Sequence, residues 1–443
     1  MGIDTIFFAN LSEIAKPLAR LMNKKKSDNE IMEDHYLCGR FIFLNEDKCL
    51  LITPFLLDKD FSKYARYLLK IKNFINLSPK KINDSLSDAV LDDTILLKKI
   101  IKIIKNNPKI KIISYATTPE FTKLIGYFKS LDLKFETPEM SNQGNEWTGP
   151  FFDSKSGFRQ GVNYVGGNFP KMPEGIICDG LTEVKAWAKY FLLEEDSGCV
   201  IKSNRGLAGA GLKIIKKSEI KDNDIKLYLD KILIEKYWSQ DTVVVERFIE
   251  SDNKICGGFP NIEMKVNGDG VETKYFCGMR VTDKGEFRGV EIGKKAVPLF
   301  VKRILRRSAV KYGQFLQKAG YRGFYEIDWV VDKNKNLYPV EANLRRTGGT
   351  HVYEIAIRLL GEDFQKKHYI TATNIQSINN ILNLDFTEIK NHLRSVLYPI
   401  NNQKRGVIIT IVPYLKYKKI GYMVIGSDKK DTLTIEDQFL NLI

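Results

Sequence analysis

Two hydrophobic periods alternate along the first third of the chain. Thr5 to Ala9 is an apolar run of strand length, and Leu11 to Met22 carries apolar residues at helical spacing. Phe41 to Leu44 and Cys49 to Thr53 read as paired strands. Phe61 to Ile71 and Asp88 to Ile104 read as helices, Lys111 to Tyr115 as a strand and Thr118 to Ser130 as a helix. This alternation predicts an α/β layer with a mainly parallel sheet over residues 1–149. Glu136 to Gly149, polar and rich in turn formers, is the expected linker. Asn23 to Glu30 and Lys80 to Ser85 are expected to be mobile loops.

The pattern then changes. Leu181 to Glu194 reads as a helix, and Asn261 to Val266, Val271 to Val281 and Glu286 to Ile292 read as strands. Arg303 to Ala319 predicts a long amphipathic helix and His351 to Leu360 a shorter one. Residues 150–367 are therefore expected to form an α+β unit, with a small separate domain over 368–443. No internal repeat or low-complexity segment interrupts the chain.

The candidate chemistry concentrates in a few segments. Glu326-Ile327-Asp328-Trp329 is followed by Glu341-Ala342-Asn343-Leu344-Arg345. Read as two strands joined by the polar turn Asp332 to Asn336, the pair brings Asp328 beside Glu341. Asn343 faces the same side as Glu341 because strand side chains repeat every two residues. Two carboxylates and an amide oxygen make an all-oxygen site that suits Mg²⁺, with Mn²⁺ as an alternative. Arg345 continues the row and adds a fixed charge. An ordinary charged hairpin has the same composition.

Upstream, the apolar strand Gly198 to Lys202 runs into Ser203-Asn204-Arg205-Gly206-Leu207-Ala208-Gly209-Ala210-Gly211-Leu212-Lys213. Gly206, Gly209 and Gly211 let the backbone approach a phosphate, and Lys202 and Lys213 supply charge at either end. The loop is neither a P-loop nor a dinucleotide fingerprint. Leu212 stands where the P-loop lysine belongs, and a strand rather than a helix follows. A plain flexible turn is the competing reading. Between these segments, Asp241 to Glu250 reads as a buried strand reaching a hinge at Glu246, or simply as a core strand.

Taken in order, lysine strand, glycine loop, hinge glutamate and Asp…Glu-x-Asn-x-Arg resemble the ATP-grasp enzymes over residues 150 to 365. Asn343-Leu344-Arg345-Arg346-Thr347-Gly348-Gly349-Thr350-His351 resembles the matching segment of ligases that carry a pre-ATP-grasp domain, the pheganomycin-type peptide ligases. The resemblance implies an ATP-grasp fold, two α+β lobes around ATP, preceded by the α/β domain of residues 1–149 and followed by the small domain of 368–443. It implies a glycine-loop lid over about 180–245 and a metal-binding lobe over about 246–367. It implies phosphate contacts for Lys202 and the loop glycines, with Lys213 on phosphate or on the adenine side. Glu246 and the backbone through Phe248 would bind adenine, and Glu250 the ribose. Asp328, Glu341 and Asn343 would hold Mg²⁺. Arg345 would meet the transferring phosphate, and Arg346 with the Thr347 to Thr350 turn the substrate carboxylate. Arg280 is a further catalytic candidate, with a surface ion pair as its alternative. His351 either touches substrate or serves a loop or helix cap.

Composition narrows the partners. Six cysteines without a Cys-x-x-Cys pair suggest free thiols in a reducing compartment, and four histidines without metal spacing argue against zinc. A net charge of +15 admits nucleic acid, but no zinc-finger or RNP motif accompanies it, and aromatics are not interleaved with the basic runs. The lysines instead read as solvated helix faces with some steering of ATP. No apolar run reaches the roughly 18 residues of a membrane span, and the N-terminus lacks a signal-peptide pattern. The expectation is a cytoplasmic, ADP-forming ligase that joins a small-molecule or peptide carboxylate to an amine through an acylphosphate, without nucleic-acid or membrane partners. A homodimer is compatible with that reading. A bicarbonate-using ATP-grasp enzyme, an ATP-binding protein without catalysis and a basic nucleic-acid-binding protein are the alternatives.

Overall fold

A computed structural model describes residues 2–194, 198–207, 209–220, 224–381, 384–412 and 417–443. Ala208, inside the expected glycine loop, lies outside the described residues. Four short strands, β1 (Thr5–Phe8), β2 (Cys49–Ile52), β3 (Phe74–Leu77) and β4 (Lys111–Ser114), form a parallel sheet in the order β3-β2-β1-β4. β2 is buried at all four positions, as an apolar run between two covered faces requires. The strand order reverses between β1 and β4. In such sheets the crevice beyond the carboxyl ends at the reversal is where ligands bind.

Several local expectations fail here for physical reasons. Phe41 to Leu44, expected as a strand, belongs to a 3₁₀ helix over Cys38–Leu44 whose first six residues are buried. A short apolar run fits a buried helical turn as well as a strand. Asn23 to Glu30, expected as a loop, opens the helix Lys24–Leu37, which the Asn23 side chain caps by accepting from the Lys26 N–H. Its first turns carry no apolar stripe, so the pattern gives no sign of them. The helix expected over Asp88 to Ile104 breaks at Asp93, whose carboxylate caps the segment Thr94–Asn106. β3 has no counterpart in the sequence reading.

A second, antiparallel sheet has the order β5-β8-β6-β7, built from β5 (Gly175–Asp179), β6 (Gly198–Leu207), β7 (Ala210–Lys216) and β8 (Thr242–Arg247). The third sheet has eight strands, β13-β12-β9-β10-β11-β14-β16-β15. It comprises β9 (Pro260–Val266), β10 (Val271–Val281), β11 (Phe287–Gly293), β12 (Gly323–Val331), β13 (Leu337–Asn343), β14 (Tyr369–Ser377), β15 (Gly406–Ile411) and β16 (Lys419–Gly426).

Residues 368–443 do not form a sheet of their own. β14 pairs directly with β11, from Gly289↔Thr373 to Gly293↔Tyr369, so the chain after residue 367 extends the central sheet. Its buried side chains share one apolar core with the N-terminal layer, while the helix Leu299–Lys318 covers a second core on β9 and β12. Among the described residues no helix is long and apolar enough to cross a membrane, and all six cysteines are free.

Candidate active site

The three sheets meet around a cavity of about 610 Å³. One wall is the β12–β13 hairpin. Asp328 sits opposite Glu341, and Glu326 opposite Asn343, as the two-residue repeat requires. All four line the cavity with Arg345. The Asn343 amide nitrogen donates to Asp328 at 3.2 Å, and its oxygen accepts from Arg345 at 2.7 Å. The amide oxygen expected to face a metal therefore faces Arg345. Asn261, across on β9, also donates to Asp328. Lys155, near the start of a helix capped by Ser154, pairs with Glu341 and donates to the Gly206 carbonyl at 3.0 Å.

This wall holds more negative charge than the sequence reading assigned. Glu326 lies two residues before Asp328, so it shares its face, and that spacing is the signal that could have found it. Burial, and then the neighbouring Glu263, push Glu326 up to about 7. Burial, followed by repulsion from Glu326 and Glu341, raises Asp328 well above the carboxylate range. The Thr347 hydroxyl bridges Glu326 at 2.6 Å and Glu263 at 2.9 Å, and the Thr350 hydroxyl donates to Glu263 at 2.7 Å. Part of the Thr-Gly-Gly-Thr turn is thus spent on buried carboxylates. Lys155 was also missed; the Asp153-Ser154-Lys155 helix start carries it.

The roof is the β6–β7 hairpin, whose Gly206, Gly209 and Gly211 line the cavity. Gly209 (φ +97°) and Gly211 (φ +75°) adopt left-handed backbone. A Cβ on Gly211 would collide with the Ser203 hydroxyl, and one on Gly209 would come within 3.1 Å of Glu286 Cα. The hairpin tip therefore rests on the turn between β10 and β11 and covers the carboxylate wall. Lys202 lines the cavity. It is buried, pairs with Glu246 at 2.6 Å and donates to the Val340 carbonyl at 3.1 Å.

Other expected positions are corrected. Lys213 does not line the cavity; Leu212, Ile214 and Lys216 do, because alternation along β7 turns Lys213 to the other face. The Glu246 carboxylate is held between Lys202 and Arg159, the latter at 2.7 Å, and so anchors cations rather than standing free for adenine. Phe248 lines the cavity, and its N–H donates to the Gly198 carbonyl at 2.9 Å; Lys216 lies 5.3 Å from its ring centre. Glu250 sits at the exposed rim, paired with Lys333 at 2.8 Å.

Arg280 points away from the cavity. Met279 and Val281 line it, while Arg280 pairs with buried Glu436 at 2.6 Å. Arg346 likewise leaves the site. Its guanidinium binds Glu139 at 2.6 and 3.0 Å and stacks 4.3 Å from the Phe324 ring centre, tying the linker segment to the central sheet. His351 is buried outside the cavity, neither ring nitrogen has a hydrogen bond among the described residues, and burial holds its pKa well below the usual value.

The arrangement offers an acidic edge, a glycine roof and a buried Lys202–Glu246 ion pair around one cavity. Among the described residues no three His, Cys, Asp or Glu side chains form a metal cluster; the edge offers a carboxylate pair and an amide. No protein-family profile matches the chain. It is 25% identical over 230 residues to the [butirosin acyl-carrier protein]–L-glutamate ligase of Niallia circulans, covering 50% of this chain and 49% of that one. It is 28% identical over 125 residues to the L-propargylglycine–L-glutamate ligase of Streptantibioticus cattleyicolor, covering 28% of this chain and 24% of that one. The matches therefore span about half or less of the length of either relative. The structure overlays that of a biotin carboxylase–β,γ-ATP complex from Campylobacter jejuni with a TM-score of 0.55 and 14% identity, covering 98% of this chain and 89% of that one. With relatives that are ligases and a likeness to solved structures over nearly its whole length, the chain has the ATP-grasp fold.

Proposed function

We propose that this protein is an ATP-dependent carboxylate–amine ligase that forms an amide or peptide bond and releases ADP and phosphate. The observation that carries the reading is convergence. The Asp328/Glu341/Asn343 edge, the glycine hairpin with Lys202 and the open end of the N-terminal parallel sheet all reach one cavity. The two relatives, both named as L-glutamate ligases, support an amino-acid or peptide-like substrate.

In the first step the substrate carboxylate attacks the γ-phosphorus of ATP, the bond to the β–γ bridging oxygen breaks, and ADP leaves. Such a transfer needs positioning and charge neutralisation more than covalent help. The N–H groups of the glycine hairpin would receive the phosphates, and Arg345 and Lys202 would supply fixed positive charge. In the second step an amine attacks the acyl carbon, phosphate departs and the nitrogen loses a proton. The hairpin, seated against Gly285 and Glu286, excludes water that would hydrolyse the acylphosphate.

The donor set fits Mg²⁺. Asp328 and Glu341 sit side by side with Glu326 on the same strand face, Lys155 is the cation paired with Glu341, and Asp328 is raised by burial and by repulsion from Glu326 and Glu341. A divalent charge relieves that repulsion. Asp328, Glu341 and Asn343 would hold Mg²⁺ or Mn²⁺, which supplies charge to phosphate oxygens. For Asn343 to present its oxygen to a metal the amide would have to turn and Arg345 would have to release it, because arginine can only donate.

The test is ADP release from Mg-ATP with a pool of amino acids, with the products identified by mass spectrometry. One ADP and one phosphate per amide bond is the expected result; ATP turnover that ignores every acid and amine would reject it. A bicarbonate-using reaction is the second reading, favoured by the fold likeness to biotin carboxylase, and bicarbonate-dependent ADP release would select it.

A further inference from the structure

Arg40 is a buried cation with no ion pair among the described residues, although its charge reaches the Asp34 carboxyl. It lies in the 3₁₀ helix Cys38–Leu44, is 3% exposed and lines the cavity. Among the described residues it has no hydrogen bond or ion pair, and its Nε is buried without a partner. Its guanidinium carbon lies 5.3 Å from the centre of the Phe41 ring. Arginine does not shed its proton in proteins, so burial does not neutralise it. A buried charge with no counter-ion is among the costliest features a fold can carry. The cavity that Arg40 lines is the route by which an anion would reach it.

Asp34 is its complement. It lies six residues earlier, near the end of the helix Lys24–Leu37, is 8% exposed and lines the same cavity. Its carboxylate also lacks a hydrogen bond or ion pair among the described residues. The two groups share a cavity but do not close on each other, because one rides on the helix and the other on the 3₁₀ turn. A salt bridge would satisfy both and leave nothing to bind. Burial, and next Glu30, keep Asp34 protonated up to about pH 8, so a ligand ammonium would restore its charge while the ligand carboxylate meets Arg40.

The location agrees. Leu11 follows β1 and Tyr115 follows β4, and both line the cavity beside Asp34 and Arg40. This is the reversal point of the parallel sheet, beyond the strand carboxyl ends. Leu37 adds an apolar surface there, and Arg345 lines the same cavity with its charge reaching Asp34.

We propose that Arg40 and Asp34 form a recognition subsite for the carboxylate and ammonium groups of a free α-amino acid at the N-terminal end of the cavity. The proposal rests on the ligase reading, and it adds the substrate class and the residues that select it. Neither the glycine loop nor the Asp328/Glu341 edge takes part.

The test measures binding separately from catalysis. The full-length protein, loaded with Mg²⁺ and a non-hydrolysable ATP analogue, is titrated by calorimetry with the proteinogenic amino acids, their α-amides and their decarboxylated amines. At least one free amino acid should bind, with its amide and amine bound far more weakly. Arg40→Met should weaken that amino acid by about 30-fold or more, as loss of one partner of a buried charge pair does. Arg40→Lys should fall between, and Asp34→Asn should weaken the amino acid while sparing its N-acetyl form. Unchanged affinity for the ATP analogue shows that each variant is folded. Equal binding of acid and α-amide, or unchanged amino-acid binding in Arg40→Met, would overturn the proposal. So would ligase activity with acids that are not amino acids when no amino acid binds. Arg40-dependent amino-acid binding with no ADP release from any substrate pair would instead overturn the ligase reading and leave the subsite standing.

Discussion

Lys202 and Glu246 hold each other at 2.6 Å across the neighbouring strands β6 and β8, with both side chains buried. The lysine thus enters the cavity already oriented, and Arg159 shares the carboxylate from the other side. Lys202→Ala is expected to weaken ATP binding and, contrary to the behaviour of an exposed lysine, to lower stability without nucleotide. The loss should be about 1–3 kcal/mol, because Glu246 keeps Arg159 but loses one partner. Calorimetric ATP titration and denaturant unfolding check the two halves. Unchanged ATP affinity would remove Lys202 from the phosphate site.

Glu341→Gln keeps the shape of the carboxylate edge and removes one charge. The variant should fold and should lose on the order of 10²–10³ in turnover, as removal of an electrostatic stabiliser does. Steady-state ADP release at saturating Mg-ATP measures this. A variant with wild-type turnover would exclude Glu341 from the metal site.

Burial, and next the neighbouring Glu30, push Asp34 from an ordinary value of 3.8 up to about 8. A folded-state pKa above the unfolded one means that folding takes up a proton. The resulting stability is fully present below about pH 4 and is lost as pH rises through 8. Asp34→Asn cannot ionise. Without ligand it should match the wild type near pH 4 and become progressively more stable than it toward pH 8. Urea unfolding across that range reads the difference, and parallel curves for the two proteins would show that Asp34 is not buried as described.

Arg280 pairs with buried Glu436 away from the cavity. Arg280→Gln should therefore cost about 1–3 kcal/mol of stability by stranding that carboxylate, with ATP affinity and turnover preserved. The double variant Arg280→Gln/Glu436→Gln should recover part of the loss. A collapse of turnover in a stable Arg280→Gln protein would return the residue to the reaction.

The carboxylate edge was legible because a two-residue period and a short polar turn fix which side chains share a face. Asp328, Glu341 and Asn343 come together on that ground alone. The same rule, carried one step upstream, reaches Glu326. The glycine hairpin was legible as a loop but not in register, so Lys213 was assigned to the cavity and Lys216 was not. Charges held by distant partners were not legible. Arg346 finds Glu139, Arg280 finds Glu436 and Lys155 finds Glu341 across separations of 156 to 207 residues that no local pattern encodes. The central sheet hid the fate of the C-terminal residues, because an extending strand and a separate small sheet have the same alternation. The helix Lys24–Leu37 escaped notice for want of an apolar stripe, and it carries Asp34 to the cavity.

The most direct test of the central claim is trapping of the acylphosphate. The protein is incubated with Mg-ATP, a carboxylate substrate found in the amino-acid pool and hydroxylamine in place of the amine. The account predicts a hydroxamate of that acid, formed one-for-one with ADP and phosphate and lost in Glu341→Gln. AMP and pyrophosphate as the nucleotide products would contradict it, since they mark an adenylate rather than an acylphosphate.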